Sequence, residues 1–260
     1  MLLTKIIQKR NLQAGIALFK RDLLVSRQKS YLSIVWDISE PLILAVFFIL
    51  LYQRKVFSVP NAGMSYGLYV AFGMLLWQSF LEALTQPISI FDRYKNLFAH
   101  VKINNGVILY ALVFSLLYNL GFRVIIMCAI LAYYKSFVFL HVLFFVFASV
   151  LIIVPGISIG FFLAAFGPFR EDIKRFISLI SRPLMFLSCT IFPMPPSGVL
   201  SYVNFLNPAA VFINNIRYIA VHGNFYNFEA LIIWLIGFCV FFLFAWKLFK
   251  FAIKYLMERS

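Results

Sequence analysis

The sequence predicts an all-α membrane protein with six transmembrane helices in each protomer. Hydrophobic residues make up 63% of the chain, charged residues only 12%, and the mean hydropathy is +0.93. Several separate apolar runs approach the length of a bilayer crossing, and lysine and arginine cluster in alternate connections between them. This composition lies outside the range of water-soluble domains and excludes a soluble fold.

The six apolar runs set the domain organisation. A helix rises about 1.5 Å per residue, so roughly 20 apolar residues cross a hydrocarbon core of about 30 Å. Runs of about this length cover residues 34–52, 66–85, 107–133, 141–166, 176–192 and 228–246. We therefore expect an amino-terminal segment, residues 1–33, followed by one six-span domain, residues 34–260.

The distribution of basic residues predicts the orientation, because lysine and arginine in short loops stay in the cytoplasm during insertion. The amino-terminal segment, the connections after the second and fourth spans and the carboxyl-terminal tail are rich in them. The other connections contain only Arg54, Lys55, Lys135 and Arg217. Both termini are therefore predicted to be cytoplasmic, and much of the net charge of +14 reflects topology, not nucleic-acid binding.

The amino-terminal segment is predicted to be an amphipathic helix in the membrane interface. It lacks the apolar core and cleavage site of a secretory signal, so we expect it in the mature protein. Apolar residues recur at helical spacing, and basic residues between them suit anionic head groups. The apolar residues are Leu12, Ile16, Phe19 and Leu23, and the basic ones are Lys9, Lys20 and Arg27. The alternative is a basic tail that only sets the topology.

The connection after the second span is predicted to be a short docking helix at about residues 90–102. Its charged residues can face water while its apolar residues fill a groove on a partner protein. The charged residues are Asp92, Arg93 and Lys95, and the apolar ones are Phe91, Leu97 and Phe98. A helix resting on lipid is the alternative. The connection 167–175 carries both signs of charge and either docks to the same partner or marks a membrane boundary.

Prolines end the fifth apolar run and open an external segment at about residues 193–225. Residues 209–221 have helical periodicity but include Asn214, Asn215 and Arg217. A segment with this many polar side chains must line a water-filled cavity, pack against protein or lie at the outer surface. We expect short re-entrant or interfacial helices before the last span.

Polar residues inside the predicted spans are costly against lipid, so we expect them to face the bundle, reach the interface or pair. For Arg123, lining of a pathway and structural pairing are both open, with Asp37 or Glu40 as possible partners. Pro155, Gly156 and Gly160 predict a kink and a close helix contact in the fourth span. Cysteines, histidines and carboxylates form no cluster typical of catalysis, so no enzyme activity, cofactor or metal is expected in this chain.

Short motifs along nearly the whole chain carry a family resemblance. They are Phe19-Lys-Arg-Asp22, Trp36 with Glu40-Pro41, Trp77-Gln-Ser-Phe80, Asn96-Leu97, Phe169-Arg-Glu-Asp-Ile173, Pro183-Leu-Met-Phe-Leu-Ser-Cys189, Phe192-Pro193 and Asn207-Pro208 with Arg217. In their order and spacing the chain resembles the membrane subunit of polysaccharide-exporting ABC transporters, which are type-2 ABC export permeases. Glu40-Pro41 and the stretch ending in Phe192-Pro193 are most similar to the capsular-polysaccharide branch. In many relatives the arginine and the aspartate of the Phe169–Ile173 motif are adjacent, whereas in this chain Glu171 stands between Arg170 and Asp172.

The resemblance implies a homodimer in the bacterial inner membrane, joined to two copies of a cytoplasmic ATP-binding subunit that binds ATP and Mg²⁺. The chain itself has no Gly-rich phosphate loop. The implied cargo is an acidic, lipid-linked capsular polysaccharide, and a periplasmic or outer-membrane export protein is a further possible partner. The implied ATPase-coupling residues are Asp92, Arg93, Tyr94, Lys95, Asn96, Leu97 and Phe98, with a second cytoplasmic contact at Arg170, Glu171 and Asp172.

A polymer path is expected to offer aromatic faces to sugar rings and arginines to acidic groups. The candidates are Trp36, Tyr69, Trp77, Tyr118, Arg123, Arg182 and Arg217. Export of O-antigen, teichoic acid or a small molecule by the same architecture is the nearest alternative. A membrane-embedded transferase and an ATP-independent channel are more distant alternatives.

Overall fold

The computed structural model describes residues 2–29, 33–57, 63–90, 92–94, 104–193 and 202–258, and every regular element in these ranges is helical. The helices are α1 (Leu2–Lys29), α2 (Ser33–Gln53), α3 (Tyr66–Ile88), α4 (Asn105–Tyr133), α5 (Phe139–Ser149), α6 (Ile153–Ala164), α7 (Arg170–Leu187), α8 (Val203–Leu206), α9 (Pro208–His222) and α10 (Phe228–Glu258). Short 3₁₀ turns, Val150–Ile152 and Gly167–Phe169, precede α6 and α7.

Four helical stretches in the described part are long and apolar enough to cross a membrane. They are Tyr66–Ile88, Asn105–Tyr133, Phe139–Ala164 and Phe228–Ile253, which correspond to the second, third, fourth and sixth expected spans. The described apolar part of α2, Ser39–Gln53, is shorter. The expected fifth span falls on α7, whose first turn is charged and which also contains Arg175 and Arg182. Crossings by α2 and α7 stay predictions.

Helix α3 is the centre of the bundle and is buried along most of its length. It packs most closely on α6, where a Cβ added to Gly156 would lie 2.7 Å from the Ala83 Cβ. A Cβ added to Gly160 would lie 2.5 Å from the Leu84 carbonyl oxygen. Glycines therefore allow the two backbones to approach, as the spacing of Gly156 and Gly160 predicts. The 3₁₀ turn Val150–Ile152 interrupts the α-helical hydrogen bonding just before Pro155, and a kink at this place stays a prediction.

Helix α1 packs along α4. Gly15 lies directly against the backbone of α4, where an added Cβ would lie 3.2 Å from the Val107 carbonyl oxygen. Leu18 is buried, and the Phe19 ring lies 5.8 Å from the Tyr118 ring. The amino-terminal helix is therefore bound to the bundle through its apolar face, and its relation to the lipid surface stays a prediction.

Helix α9 is buried inside the protein. Asn207 begins it by accepting a hydrogen bond from the Ala209 amide at 3.0 Å, and Gly223 ends it with a φ of 74°. Asn215 and Arg217 are both buried among neighbouring helices. Of the three environments open to this segment from its sequence, the structure shows packing against protein. Residues 194–201 of the expected external segment lie outside the described residues.

The segments expected on one side of the membrane meet at one end of the bundle. Asp22 of α1, residues 92–94 and the start of α7 are in contact there. At the opposite end, Gly67 lies near Tyr134, Gly223 lies near His141, and Gly63 lies near His222. Three of the four segments that are rich in basic residues therefore lie together, and their cytoplasmic location stays a prediction.

Candidate functional site: a junction at one end of the bundle

Three chain segments meet in a set of five polar residues, which we call the junction: Asp22, Asp92, Tyr94, Arg170 and Lys174. Within the junction, Asp92 makes the contacts to α7. One carboxylate oxygen of Asp92 lies 3.0 Å from Arg170 Nη1, and the other lies 2.7 Å from Lys174 Nζ. The segment after α3 is thus connected to α7 by two ion pairs on one carboxylate.

Tyr94 connects the same segment to α1. Its hydroxyl donates a hydrogen bond to Asp22 Oδ2, and its side chain is only 3% exposed. Burial, and then the hydrogen bond to Asp22, raises the pKa of Tyr94 well above its usual range. The Arg21 guanidinium lies 2.8 Å from the other Asp22 oxygen and 5.5 Å from the Tyr94 ring centroid. Tyr94 therefore remains a neutral hydrogen-bond donor.

The α7 side of the junction is open to solvent. Lys174 also lies 2.8 Å from a Glu171 oxygen, and hydrogen bonds to Asp92 and Glu171 raise the pKa of Lys174. The Asp92 side chain is 45% exposed, and both Glu171 and Asp172 are exposed. Exposed ion pairs contribute little to stability, typically about 0–1 kcal/mol each. A partner protein can reach these groups and replace their contacts at small cost.

The predicted second cytoplasmic contact therefore joins the first. Arg170 binds Asp92 directly, whereas Asp172 lies two positions further along α7 and is exposed. Arg93 is exposed beside Asp92. Lys95, Asn96, Leu97 and Phe98 lie outside the described residues.

A second polar set crosses from α3 to α4 within the apolar bundle, and we call it the polar ladder: Ser79, Glu82, Gln86, Ser115, Asn119 and Arg123. Arg123 Nη1 lies 2.7 Å from Glu82 Oε2 and donates to Ser79 Oγ at 3.2 Å. Glu82 Oε1 accepts from Asn119, and from Gln86 Nε2 at 2.6 Å. Gln86 also donates to Ser115 Oγ at 3.5 Å.

The ladder settles the pairing of Arg123. Its partner is Glu82 on the neighbouring helix, which corrects the expectation of Asp37 or Glu40. Glu40 is exposed on α2, and the Asp37 side chain lies outside the described part of the chain. Arg123 is only 3% exposed, so its charge is neutralised inside the protein.

Arg217 occupies a different environment at the opposite end. It is 1% exposed, its guanidinium carbon lies 3.5 Å from the Tyr69 ring centroid, and Nη1 donates to Asn214 at 3.1 Å. Nη2 donates to the carbonyls of Cys189 at 3.1 Å and Thr190 at 3.4 Å, and Tyr69 donates to the Cys189 carbonyl at 2.7 Å. Cys189 has a φ of 56°, which is uncommon for a residue with a side chain. Arg217 and Tyr69 thus hold the turn after α7.

The other predicted path residues are dispersed. Trp77 is buried and lines an apolar cavity of about 560 Å³ between α3, α6 and α7. Tyr118 lies between the rings of Phe19 and Phe122. Arg182 is exposed on α7, and Trp36 belongs to α2 at a position whose side chain is outside the described part. Among the described residues, Trp77, Tyr118 and Arg182 therefore lie in separate environments.

Several site residues were missed by the sequence reasoning: Glu82, Gln86, Ser115 and Lys174, with Asp22 and Ser79 noted only as parts of motifs. A signal for the ladder was present. Polar residues recur at i, i+3 and i+7 on α3, and at i, i+4 and i+8 on α4. Residues with these spacings share one face of a helix, so two such faces predict a pair of contacting helices.

Together, these features define a polytopic helical membrane protein with exposed ion pairs at one end of the bundle. A family model described as "ABC-2 type transporter" matches residues 13–221, and the chain belongs to this family. No curated protein matches the chain. The chain is therefore the permease component of an ABC transporter, and ATP is hydrolysed by a separate ATP-binding subunit.

Proposed function

We propose that this chain is the permease of an ATP-driven exporter that moves an acidic, lipid-linked capsular polysaccharide across the bacterial inner membrane. It acts as a homodimer with two copies of the ATP-binding subunit, and its termini and junction face the cytoplasm. The family match supports the transporter part of this proposal. The capsule-like motifs, Glu40-Pro41 and Phe192-Pro193, support the cargo.

The junction is the observation that carries the proposal. A motor subunit that pushes on residues 92–98 acts on a segment held by Asp92 to α7 and by Tyr94 to α1. Displacement of this segment therefore reaches two helices at once. Because the Asp92 ion pairs are exposed, the motor can rearrange them during its cycle. Movement of α7 then opens a path along the seam between the two permeases.

Arg182 is the arginine best placed to meet an acidic polymer. It is exposed on α7, near the exposed side chains of Phe176 and Leu179 on the same helix. Arg123 and Arg217 are buried and already bind protein groups. Trp36 and Tyr118 stay candidates for contact with sugar rings, whereas Tyr69 and Trp77 need a rearrangement of the protomer to reach polymer.

The first test is affinity purification of the protein from its native membranes in mild detergent, with mass spectrometry of the proteins that remain bound. We expect a stoichiometric ATPase with a phosphate loop. Absence of an ATPase in several detergents contradicts the proposal.

The second test identifies the cargo. Deletion of the gene is expected to remove the capsular polysaccharide from the cell surface and to leave its lipid-linked precursor inside the cell. Loss of O-antigen or teichoic acid instead assigns the alternative cargo. Normal surface glycans with an impaired release of a small molecule contradict polysaccharide export.

A further inference from the structure

The polar ladder has an arrangement that lipid exposure or cargo binding does not explain. Its six side chains come from two helices, with Ser79, Glu82 and Gln86 on α3 facing residues of α4. It contains one carboxylate and one guanidinium, so the set is electrically neutral. A charge inside a membrane protein is costly unless it is paired and hydrogen-bonded. The Glu82–Arg123 ion pair and its hydrogen bonds meet this condition at the carboxylate and at Arg123 Nη1 without any ligand, whereas the buried Arg123 Nε has no hydrogen-bond partner among the described groups.

The ladder also lies away from the apolar cavity between α3, α6 and α7. That cavity is lined on α3 by Trp77, Phe80, Leu81 and Leu84. Ser79, Glu82 and Gln86 occupy a different face of the same helix, which is turned to α4. Arg123 is 3% exposed, whereas the Glu82 side chain is 15% exposed. The ladder is thus a contact between two helices.

The ladder completes a ring of contacts that includes the junction. The chain continues from the ladder on α3, past the end of this helix at Ile88, to residues 92–94, whose Tyr94 binds Asp22 of α1. Helix α1 packs along α4 through Gly15, and α4 returns to α3 through Arg123. Each of the three helices is therefore fixed to the other two, directly or through residues 92–94.

We infer that Glu82 and Arg123 are positioning residues that make α1, α3 and α4 move as one unit when the ATP-binding subunit displaces residues 92–94. The role in coupling rests on the proposed function, whereas the fixing of α3 to α4 does not. Because Glu82 neutralises the charge of Arg123, Arg123 does not bind the polymer. The ladder therefore transmits force from the junction into the membrane.

A double-mutant cycle on the detergent-purified permease tests the fixing of α3 to α4. Arg123→Gln leaves the Glu82 carboxylate without its cation and is expected to lower the unfolding midpoint by on the order of 10 °C. Adding Glu82→Gln removes the unpaired charge and is expected to recover at least half of that loss. Arg182→Gln, which changes an exposed arginine, is the control for stability. An Arg123→Gln midpoint equal to that of the wild type, or no recovery in the double variant, overturns the inference.

Two assays of the permease together with its ATP-binding subunit test the positioning role: ATP hydrolysis in lipid nanodiscs and export in proteoliposomes. The Glu82→Gln/Arg123→Gln variant keeps neutral hydrogen bonds, which are about half as strong as charge-assisted ones. We expect its ATP hydrolysis to stay within about twofold of the wild type while export per ATP falls about fivefold. Wild-type export per ATP in this stable variant assigns the ladder a structural role only and overturns the coupling part.

Two further outcomes are distinct. If Arg123→Gln raises the cargo concentration for half-maximal transport and Glu82→Gln gives no rescue, Arg123 is a cargo-binding residue and the inference is wrong. If the wild-type complex shows no ATP-dependent export, the proposed function fails and the coupling role fails with it. The unfolding midpoints still decide whether Glu82 and Arg123 fix α3 to α4, because they require no transport.

Discussion

The two ends of the bundle are held by opposite means. At one end, Arg217 is almost completely buried, and it stabilises a turn through two carbonyl groups and the Tyr69 ring. At the other end, Asp92 binds Arg170 and Lys174 in a region where the carboxylate is 45% exposed. Buried hydrogen bonds to a charged group are costly to break, whereas exposed ion pairs are not. The difference indicates a fixed end and an end that a partner can rearrange.

The largest effect is expected from Arg217→Met, which breaks the fixed end. The substitution removes the Arg217 hydrogen bonds to the Thr190 and Cys189 carbonyls. We expect the free energy of unfolding to fall by about 2–4 kcal/mol, and the abundance in membranes to fall with it. Thermal unfolding of the purified protein measures the loss, with Arg182→Met as the exposed control. Wild-type stability of the Arg217 variant contradicts the fixed end.

Charge reversal at the junction is expected to have a large effect on coupling and a small one on stability. Asp92→Arg places a third cation beside Arg170 and Lys174. We expect export per ATP to fall by about tenfold, with less than about 1 kcal/mol lost in stability. Combining Asp92→Arg with Lys174→Asp tests whether restoring an ion pair recovers export. Co-purification of the ATP-binding subunit and unchanged export with Asp92→Arg count against the docking assignment.

A smaller effect is expected from Arg182→Gln, which distinguishes the exposed arginine from the two buried ones. Its side chain is exposed, so we expect unchanged abundance and unfolding. Export of an acidic polymer is expected to fall about threefold, because the loss of one charge-assisted contact weakens binding along the path. Export assays at two ionic strengths check this. An export rate equal to that of the wild type at both strengths removes Arg182 from the path.

The smallest effect is expected from Tyr94→Phe and depends on pH. The folded protein holds the pKa of Tyr94 above its ordinary value of 10.0, so its contribution is complete below pH 10 and falls as the pH rises further. Tyr94→Phe is expected to cost about 1 kcal/mol at pH 8 and to lose less stability than the wild type between pH 10 and 11. If the wild type and Tyr94→Phe lose the same stability between pH 10 and 11, the buried hydrogen-bonded state assigned to the Tyr94 hydroxyl is wrong.

The difference between the two ends also shows which features the sequence could predict. Long apolar runs specify helices locally, so α3, α4 and α10 could be located from composition and length. The contacts between helices depend on packing that brings distant residues together. Asp92 and Arg170 are separated by 78 positions, and Arg217 and Cys189 by 28. The distribution of basic residues predicted that Asp92 and Arg170 lie on the same side of the membrane, but it did not indicate that they bind each other.

The fifth apolar run shows the limit most clearly. Its composition predicts a continuous helix through residue 192, whereas α7 ends at Leu187 and Cys189 adopts a left-handed conformation. Distant groups bind this turn, since Arg217 on α9 and Tyr69 on α3 both donate to the Cys189 carbonyl. Helix ends that depend on a distant donor carry no local signal. The ladder did carry one, since Glu82 and Arg123 belong to matching polar faces.

Asp92 has one further consequence, for the exchange of parts between related permeases. Its two carboxylate oxygens bind two different residues of α7, Arg170 and Lys174, which belong to a separate connection of the chain. A chimaera that receives a foreign segment after α3, but keeps its own start of α7, carries mismatched charges at both contacts. Retargeting this permease to another ATP-binding subunit therefore requires that residues 90–102 and 167–175 be transplanted as a pair.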